Sequence, residues 1–236
     1  MSTPETIADP APRRAKVDPR AGLARLGPIG QLRAGRLTYR LTQLFVGLML
    51  YGFSLAIMLR STLGNAPWDV LHQGLARHLP ITIGQAVVGA SLVVLLVWVP
   101  LREIPGLGTI SNAIVVGLSA DIFLRLVEPP DDLAVRILFM AGGIVLNALA
   151  TAIYIGAQFG SGPRDGLMTG LARHTGLSIR LVRTLLELSV VTIGWFLGGV
   201  LGLGTVLYAL AIGPLAQKLL PYFIVDLPGH PKRGDD

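Results

Sequence analysis

The chain has 236 residues, 52% of them hydrophobic and 14% charged, with a formal net charge of +6 and no cysteine. That balance excludes an ordinary soluble domain, a disulfide framework and thiol chemistry. The basic excess does not point to nucleic acid, because eight of the twenty Lys and Arg residues fall in the first 40 positions, where they read as the cytoplasmic flank of a membrane helix.

Residues 1–36 lack apolar periodicity and are expected to form a flexible basic cytoplasmic extension, drawn electrostatically to an anionic leaflet. No short apolar run with a small-residue cleavage site follows, so the first span is expected to serve as an uncleaved insertion signal. A hydrocarbon core of about 30 Å needs roughly 20 helical residues. Runs of that length predict six spans, at 41–59, 81–101, 109–127, 135–157, 179–197 and 205–223. Two shorter helices are expected at 67–79 and 163–174, too short to cross unaided. The fold class is therefore an all-α polytopic membrane protein of about six transmembrane helices plus two short broken or re-entrant helices.

The chain repeats itself at an offset of ninety-six residues. Gly64-Asn65-Ala66-Pro67-Trp68-Asp69 returns as Gly160-Ser161-Gly162-Pro163-Arg164-Asp165, Gly74 to His78 returns identically as Gly170 to His174, and Gly106-Leu107-Gly108-Thr109 returns as Gly202-Leu203-Gly204-Thr205. Such self-similarity divides the membrane region into repeats at 37–130 and 131–224, followed by a flexible cytoplasmic tail at 225–236. Three spans per half make the second half enter from the opposite side, which predicts inverted-topology repeats. Basic Arg164, Arg173, Arg180 and Arg183 on one side, and acidic Glu128, Asp131 and Asp132 on the other, agree with N- and C-termini in the cytoplasm; Arg60 and Arg77 run against it.

Each short helix begins at a proline, Pro67 or Pro163, which suits the first helical position. Asp69 and Asp165 then face the orphan N–H groups of the first turn, a role that needs no ligand. The same arrangement also suits helix ends aimed at a midplane solute site, with Asn65, Trp68 and Ser161 beside them. Tyr51 corresponds to Asn147 and Asn112 to Tyr208, so the halves carry one Tyr and one Asn in exchanged positions, either as interhelical hydrogen-bond partners or as solute contacts. Thr109 and Thr205 are expected as N-caps, with Gly106, Gly108, Gly202 and Gly204 allowing tight turns and Gly64 and Gly160 close backbone approach. Arg180, Arg183 and Glu187 replace Gly84, Val87 and Ser91 of the first half. Arg183 and Glu187, four residues apart, are expected either to neutralise each other or to act as ion-coupling groups. Asp121 is expected at the interface. His78 and His174 lie at helix ends, and His72 adds no recognisable cluster, so no metal site is expected.

The Leu63 to Leu71 stretch with its Pro-Trp-Asp signature, the Gly-Leu-Gly-Thr turns and the second Gly-Ser-Gly-Pro-Arg-Asp resemble the YczE-like bacterial inner-membrane proteins, related more distantly to the YitT type. The resemblance spans about residues 40–220, carries the motif residues Gly64, Pro67, Trp68, Asp69, Gly160, Pro163 and Asp165, and implies a polytopic plasma-membrane protein without supplying a reaction. No catalytic constellation is visible, so no enzyme and no cofactor are expected. A small-solute permease or exporter with a midplane site is the first expectation; a channel-like pore or a non-transporting scaffold that docks a membrane partner is the alternative. The expected partners are the lipid bilayer, a small-molecule solute, and a second copy or a membrane partner protein.

Overall fold

The computed structural model describes residue 23 and residues 27–227. These form nine helices: α1 (Pro28–Arg33), α2 (Leu37–Ser61), α3 (Pro67–His78), α4 (Ile83–Leu101), α5 (Leu107–Leu126), α6 (Leu133–Gly156), α7 (Pro163–Thr175), α8 (Ile179–Phe196) and α9 (Leu203–Phe223). Five of them, α2, α4, α5, α6 and α9, are long and apolar enough to cross a membrane. The chain is a polytopic membrane protein, with leucines and valines of α4, α8 and α9 exposed around its perimeter, among them Leu96, Val99, Leu188 and Leu210, where lipid tails replace water as their neighbours.

The sixth expected span differs from the other five. α8 has 18 residues and carries Arg180, Arg183 and Glu187. Three ionisable groups take it outside the apolar set, since each charge at a helix centre costs roughly 2.5–3.5 kcal/mol on insertion scales.

Local chemistry sets the helix starts. Pro67 and Pro163 open α3 and α7. Thr82 and Gln85 form a reciprocal capping box on α4, Asp132 accepts from Val135 N at 3.1 Å on α6, and Ser178 accepts from Leu181 N on α8, which satisfies N–H groups that a helix start leaves orphaned. The Gly-Leu-Gly-Thr turns correct one expectation. The N-caps are Gly106 and Gly202, and Thr109 and Thr205 stand at the third helical position, because the helices begin at the leucines. Their hydroxyls reach back to the glycine N–H groups at 3.2 and 3.4 Å.

The centre of the molecule is the crossing of α2 and α6. Gly47 and Gly143 allow it: a Cβ on Gly47 would meet Tyr154 N at 2.8 Å, and one on Gly143 would meet Met58 Cγ at 2.4 Å. Small residues at such crossings bring helix backbones into the contact that drives association in lipid. α5 packs on α2 and α9 on α6, whereas the short helices cross over: α3 of the first half packs on α8 of the second, and α7 of the second on α4 of the first.

The cross-half contacts recur with the halves exchanged. Gly108 N donates to Phe159 O at 2.8 Å, and Gly204 N donates to Leu63 O at 2.9 Å. Thr109 Oγ1 donates to Ser161 O at 2.7 Å, and Thr205 Oγ1 accepts from Asn65 N at 3.1 Å. Thr62 and Gln158, equivalent residues after α2 and α6, both adopt the left-handed conformation, and Gly64 and Gly160 both have positive φ.

Part of the extension expected over residues 1–36 is helical. α1 is ordered, with Gln31 buried, and Arg40 Nη1 donates to Gln31 O at 2.6 Å; residues 1–22 and 24–26 lie outside the described residues. The first residues of the expected tail pack against the bundle. Val225 N donates to Gly156 O at 3.0 Å, and Val225 and Leu227 are buried, while residues 228–236 lie outside the described residues.

Candidate functional site

A cavity of about 230 Å³ lies where the two short helices meet. Pro67 and Trp68 of α3 and Pro163, Arg164, Asp165 and Met168 of α7 line it. Tyr51 of α2, Tyr154 of α6 and Tyr208 of α9 contribute phenol rings, with Asn112 of α5 and Ser91 of α4 adding polar groups. Arg183 and Glu187 of α8 complete the polar wall. The short helices are held inside the bundle: Asn65 and Ala66 are 1% and 3% exposed, and Trp98 Nε1 of α4 donates to Pro163 O at 3.0 Å.

Of the residues singled out from sequence, Tyr51, Pro67, Trp68, Asn112, Pro163, Asp165, Arg183, Glu187 and Tyr208 border the cavity. Asn65, Asp69, Ser161 and Asn147 do not. Asn147 instead receives the Tyr208 hydroxyl on Oδ1 at 2.9 Å and donates from Nδ2 to Ser54 Oγ at 2.8 Å, tying α9, α6 and α2 together. The matching pair in the other half, Tyr51 and Asn112, faces the cavity. Of the four, only Asn147 stays out of the wall, and Tyr208 borders the cavity while bonded to it.

The two repeat-related carboxylates have different surroundings. Asp69 is buried, with His72 Nδ1 at 3.1 Å and Arg164 Nη2 at 3.9 Å from its Oδ1. His72, three residues on from Asp69, lies on the same helix face. Among the described residues there is nonetheless no group of three or more metal-ligating side chains. Asp165 has Met168 where Asp69 has His72, and its side chain meets the Tyr154 hydroxyl at 3.4 Å. Arg164 stacks over the Trp68 ring at 5.0 Å, so equivalent positions in the two halves face each other. Arg183 Nε donates to Glu187 Oε1 at 2.8 Å, the expected pairing along one helix face.

The two repeat-related helix pairs beside the cavity are packed unequally. Where α4 begins and α5 ends, Thr82 Oγ1 donates to Asp121 Oδ2, and Gly84 N donates to Asp121 Oδ1 at 2.8 Å. Gly84 and Gly117 pack so closely there that a Cβ on Gly84 would stand 2.1 Å from Gly117 O. Asp121 is therefore a latch between helices. The second half has Ser178, Arg180, Gly213 and Gln217 at these positions. α8 makes no comparable packing on α9, a Cβ on Gly213 would meet nothing within 4 Å, and Gln217 is exposed. The cavity wall runs out through this gap along Gly213, Ala216 and Gln217, past Arg183, whose side chain is 40% exposed.

Sequence reasoning missed Arg164 and Tyr154 as wall residues. Both were marked by departure from the repeat, since Trp68 and Met58 hold the equivalent positions.

A helical membrane bundle with two short helices meeting at a polar, aromatic-lined cavity defines a class of multi-pass membrane protein. Residues 38–221 match DUF6198, a family of unknown function, and the chain belongs to that family. It is 43% identical to an uncharacterized protein of Haemophilus influenzae over 75% of this chain and 81% of that protein. It is 30% identical to the uncharacterized membrane protein YczE of Bacillus subtilis over 80% of this chain and 88% of that one, and 27% identical to YyaS of the same organism over 75% and 90%. No solved structure matches it.

Proposed function

We propose that this protein is a small-solute permease or exporter of the bacterial inner membrane, with both termini in the cytoplasm and two halves of inverted topology. One solute site between the short helices would face the two sides in turn. Inverted-repeat transporters commonly place their site near the midplane at the repeat interface, with broken helices pointing at it, and expose it alternately by rocking one half against the other.

The observation that carries this reading is the inequality of the two repeat-related helix pairs. α4 and α5 are latched by Asp121, while α8 and α9 stand apart over the same cavity. A channel would leave both ends passable, and a packing-only bundle would fill both. With the termini inside, the α8–α9 end faces the cytoplasm.

Ala120 and Ala216 are repeat-related and test the reading directly. Ala120 is fully buried behind the latch, and Ala216 lines the open gap. Because the chain has no cysteine, Ala120→Cys and Ala216→Cys each introduce a single thiol. The expected result is labelling of Ala216→Cys by a membrane-impermeant reagent from the cytoplasmic side alone, with Ala120→Cys protected. Replacing the latch carboxylate by Asp121→Ala is expected to expose Ala120→Cys from the opposite side and reduce labelling of Ala216→Cys. Labelling of one site from both faces points to a channel, and protection of both under every condition removes the permease reading.

A further inference from the structure

We infer that the solute is a small organic monocation whose positive charge is answered by the Asp165 carboxylate; this rests on the permease reading of the same cavity. The charges around the cavity lead there. Asp69 has His72 and Arg164 within reach, and Glu187 has Arg183 at 2.8 Å. Asp165 forms no ion pair among the described residues, and its side-chain contact is the uncharged Tyr154 hydroxyl at 3.4 Å. Of the charged groups that line the cavity, Glu187 is held by Arg183, and Arg164 turns to Asp69 outside the wall, so Asp165 is the lining carboxylate left without an ion pair. A single cation of the right size neutralises it.

The rest of the wall suits the same chemistry. The rings of Tyr51 and Tyr154 meet edge to face at 6.3 Å, and Tyr208 lies on the same cavity. Aromatic faces attract alkylated ammonium groups, increasingly so as water is excluded. Val87, Val116 and Ile212 provide apolar surface for the alkyl groups, which a bare metal ion would not use. An anion is disfavoured because Arg164 is already stacked on Trp68 and faces Asp69, and Arg183 is held by Glu187.

The comparison within the chain suggests how to remove the site without emptying it. In α3 the position three residues after the aspartate is His72, and in α7 it is Met168. Met168→His gives Asp165 the partner that Asp69 already has.

The test is binding to the purified full-length protein in detergent, read by thermal shift and titration calorimetry, with choline and tetramethylammonium as probes and acetate and phosphate as anionic controls. Saturable binding of choline and absence of binding by the anions is the expected result. Asp165→Asn should weaken choline binding about tenfold or more, the equivalent of losing one charge-assisted contact, and Met168→His should weaken it severalfold. Each variant is compared at equal monodispersity and equal melting temperature without probe. Met168→His, which keeps the carboxylate, stands in if Asp165→Asn fails to fold. Anion binding in place of cation binding, no saturable binding of either cation, or choline affinity unchanged in the folded variants overturns the inference. The two readings fail separately: cysteine labelling from one side without choline binding removes the monocation alone, and choline binding to a cavity that labels from both faces removes the permease alone.

Discussion

Arg40 and Ala157 are joined across the two halves of the chain: the Arg40 Nε donates to Ala157 O at 2.9 Å. Their equivalents, Arg136 and Ser61, are joined by the same bond at the same distance. Each arginine thus ties down carbonyls at the end of the other half's first long helix, where the last carbonyls have no intrahelical partner. The two are not equal in weight. Arg40 is fully buried, also donates to Gln158 O and Gln31 O at 2.9 and 2.6 Å, and lies 4.2 Å over the Phe159 ring.

Arg40→Ala is therefore expected to destabilise the fold more than Arg136→Ala. Hydrogen bonds to a charged group contribute about 1.5–3 kcal/mol each, so loss of three at a buried site is expected to exceed roughly 3 kcal/mol, against about half of that for the partly exposed Arg136. Arg40→Lys should recover little, because an ammonium cannot reproduce the planar fork. Thermal unfolding of the purified variants in detergent measures all three. Equal, small losses for the two alanine variants would show that the reciprocal ties are not what joins the halves.

A second relationship is complementary in size. Trp98 packs against Gly166, where a Cβ would stand 2.0 Å from the indole, and at the equivalent positions of the other half Gly194 packs on the backbone of Val70 and Leu71, 2.6 and 2.4 Å from such an atom. The bulk has changed sides of the interface. Gly166→Val is expected to break the α4–α7 packing, since overpacking a filled site costs about 1–3 kcal/mol. Combining it with Trp98→Gly recreates the Gly194–Val70 arrangement and should recover part of the loss. Recovery stays partial because the Trp98 bond to Pro163 O is gone. Elution profile and melting temperature of the single and double variants decide it; a double variant no better than Gly166→Val refutes the size exchange.

Much of the architecture was legible because two signals agreed. The apolar runs located the long helices to within a few residues, and the offset of ninety-six located α3 and α7 through Pro67 and Pro163, even though neither helix is strongly apolar. Which half packs on which was not legible. The repeat equates Thr109 with Thr205, but only the folded chain brings Thr205 to Asn65 and Thr109 to Ser161, contacts spanning 140 and 52 positions. The cavity was half legible for the same reason. Asp165, Tyr51 and Asn112 stood out as polar groups in apolar surroundings, whereas Tyr154 and Arg164 acquire their place from helices far away in sequence. The latch was missed because Asp121 sits near a helix end, where a carboxylate needs no further explanation. Its replacement by Gln217 in the second half was the available sign.

Arg183 and Glu187 supply the last expectation. Their pair lies on α8, the helix whose charges set it apart from the five apolar spans, with side chains 40% and 21% exposed. An unpaired ionisable group at membrane depth costs roughly 2.5–3.5 kcal/mol, so two charges that cancel should be tolerated better than either alone. Arg183→Gln and Glu187→Gln are each expected to destabilise the protein more than the double variant does. The coupling energy of the cycle, about 1 kcal/mol for residues in direct contact, is read from melting temperatures in detergent. Strict additivity would mean that the two groups do not neutralise each other. Solute uptake into vesicles then separates packing from coupling: a double variant that folds and transports leaves the pair a structural device, and one that folds but no longer couples flux to an ion gradient gives it a part in the cycle.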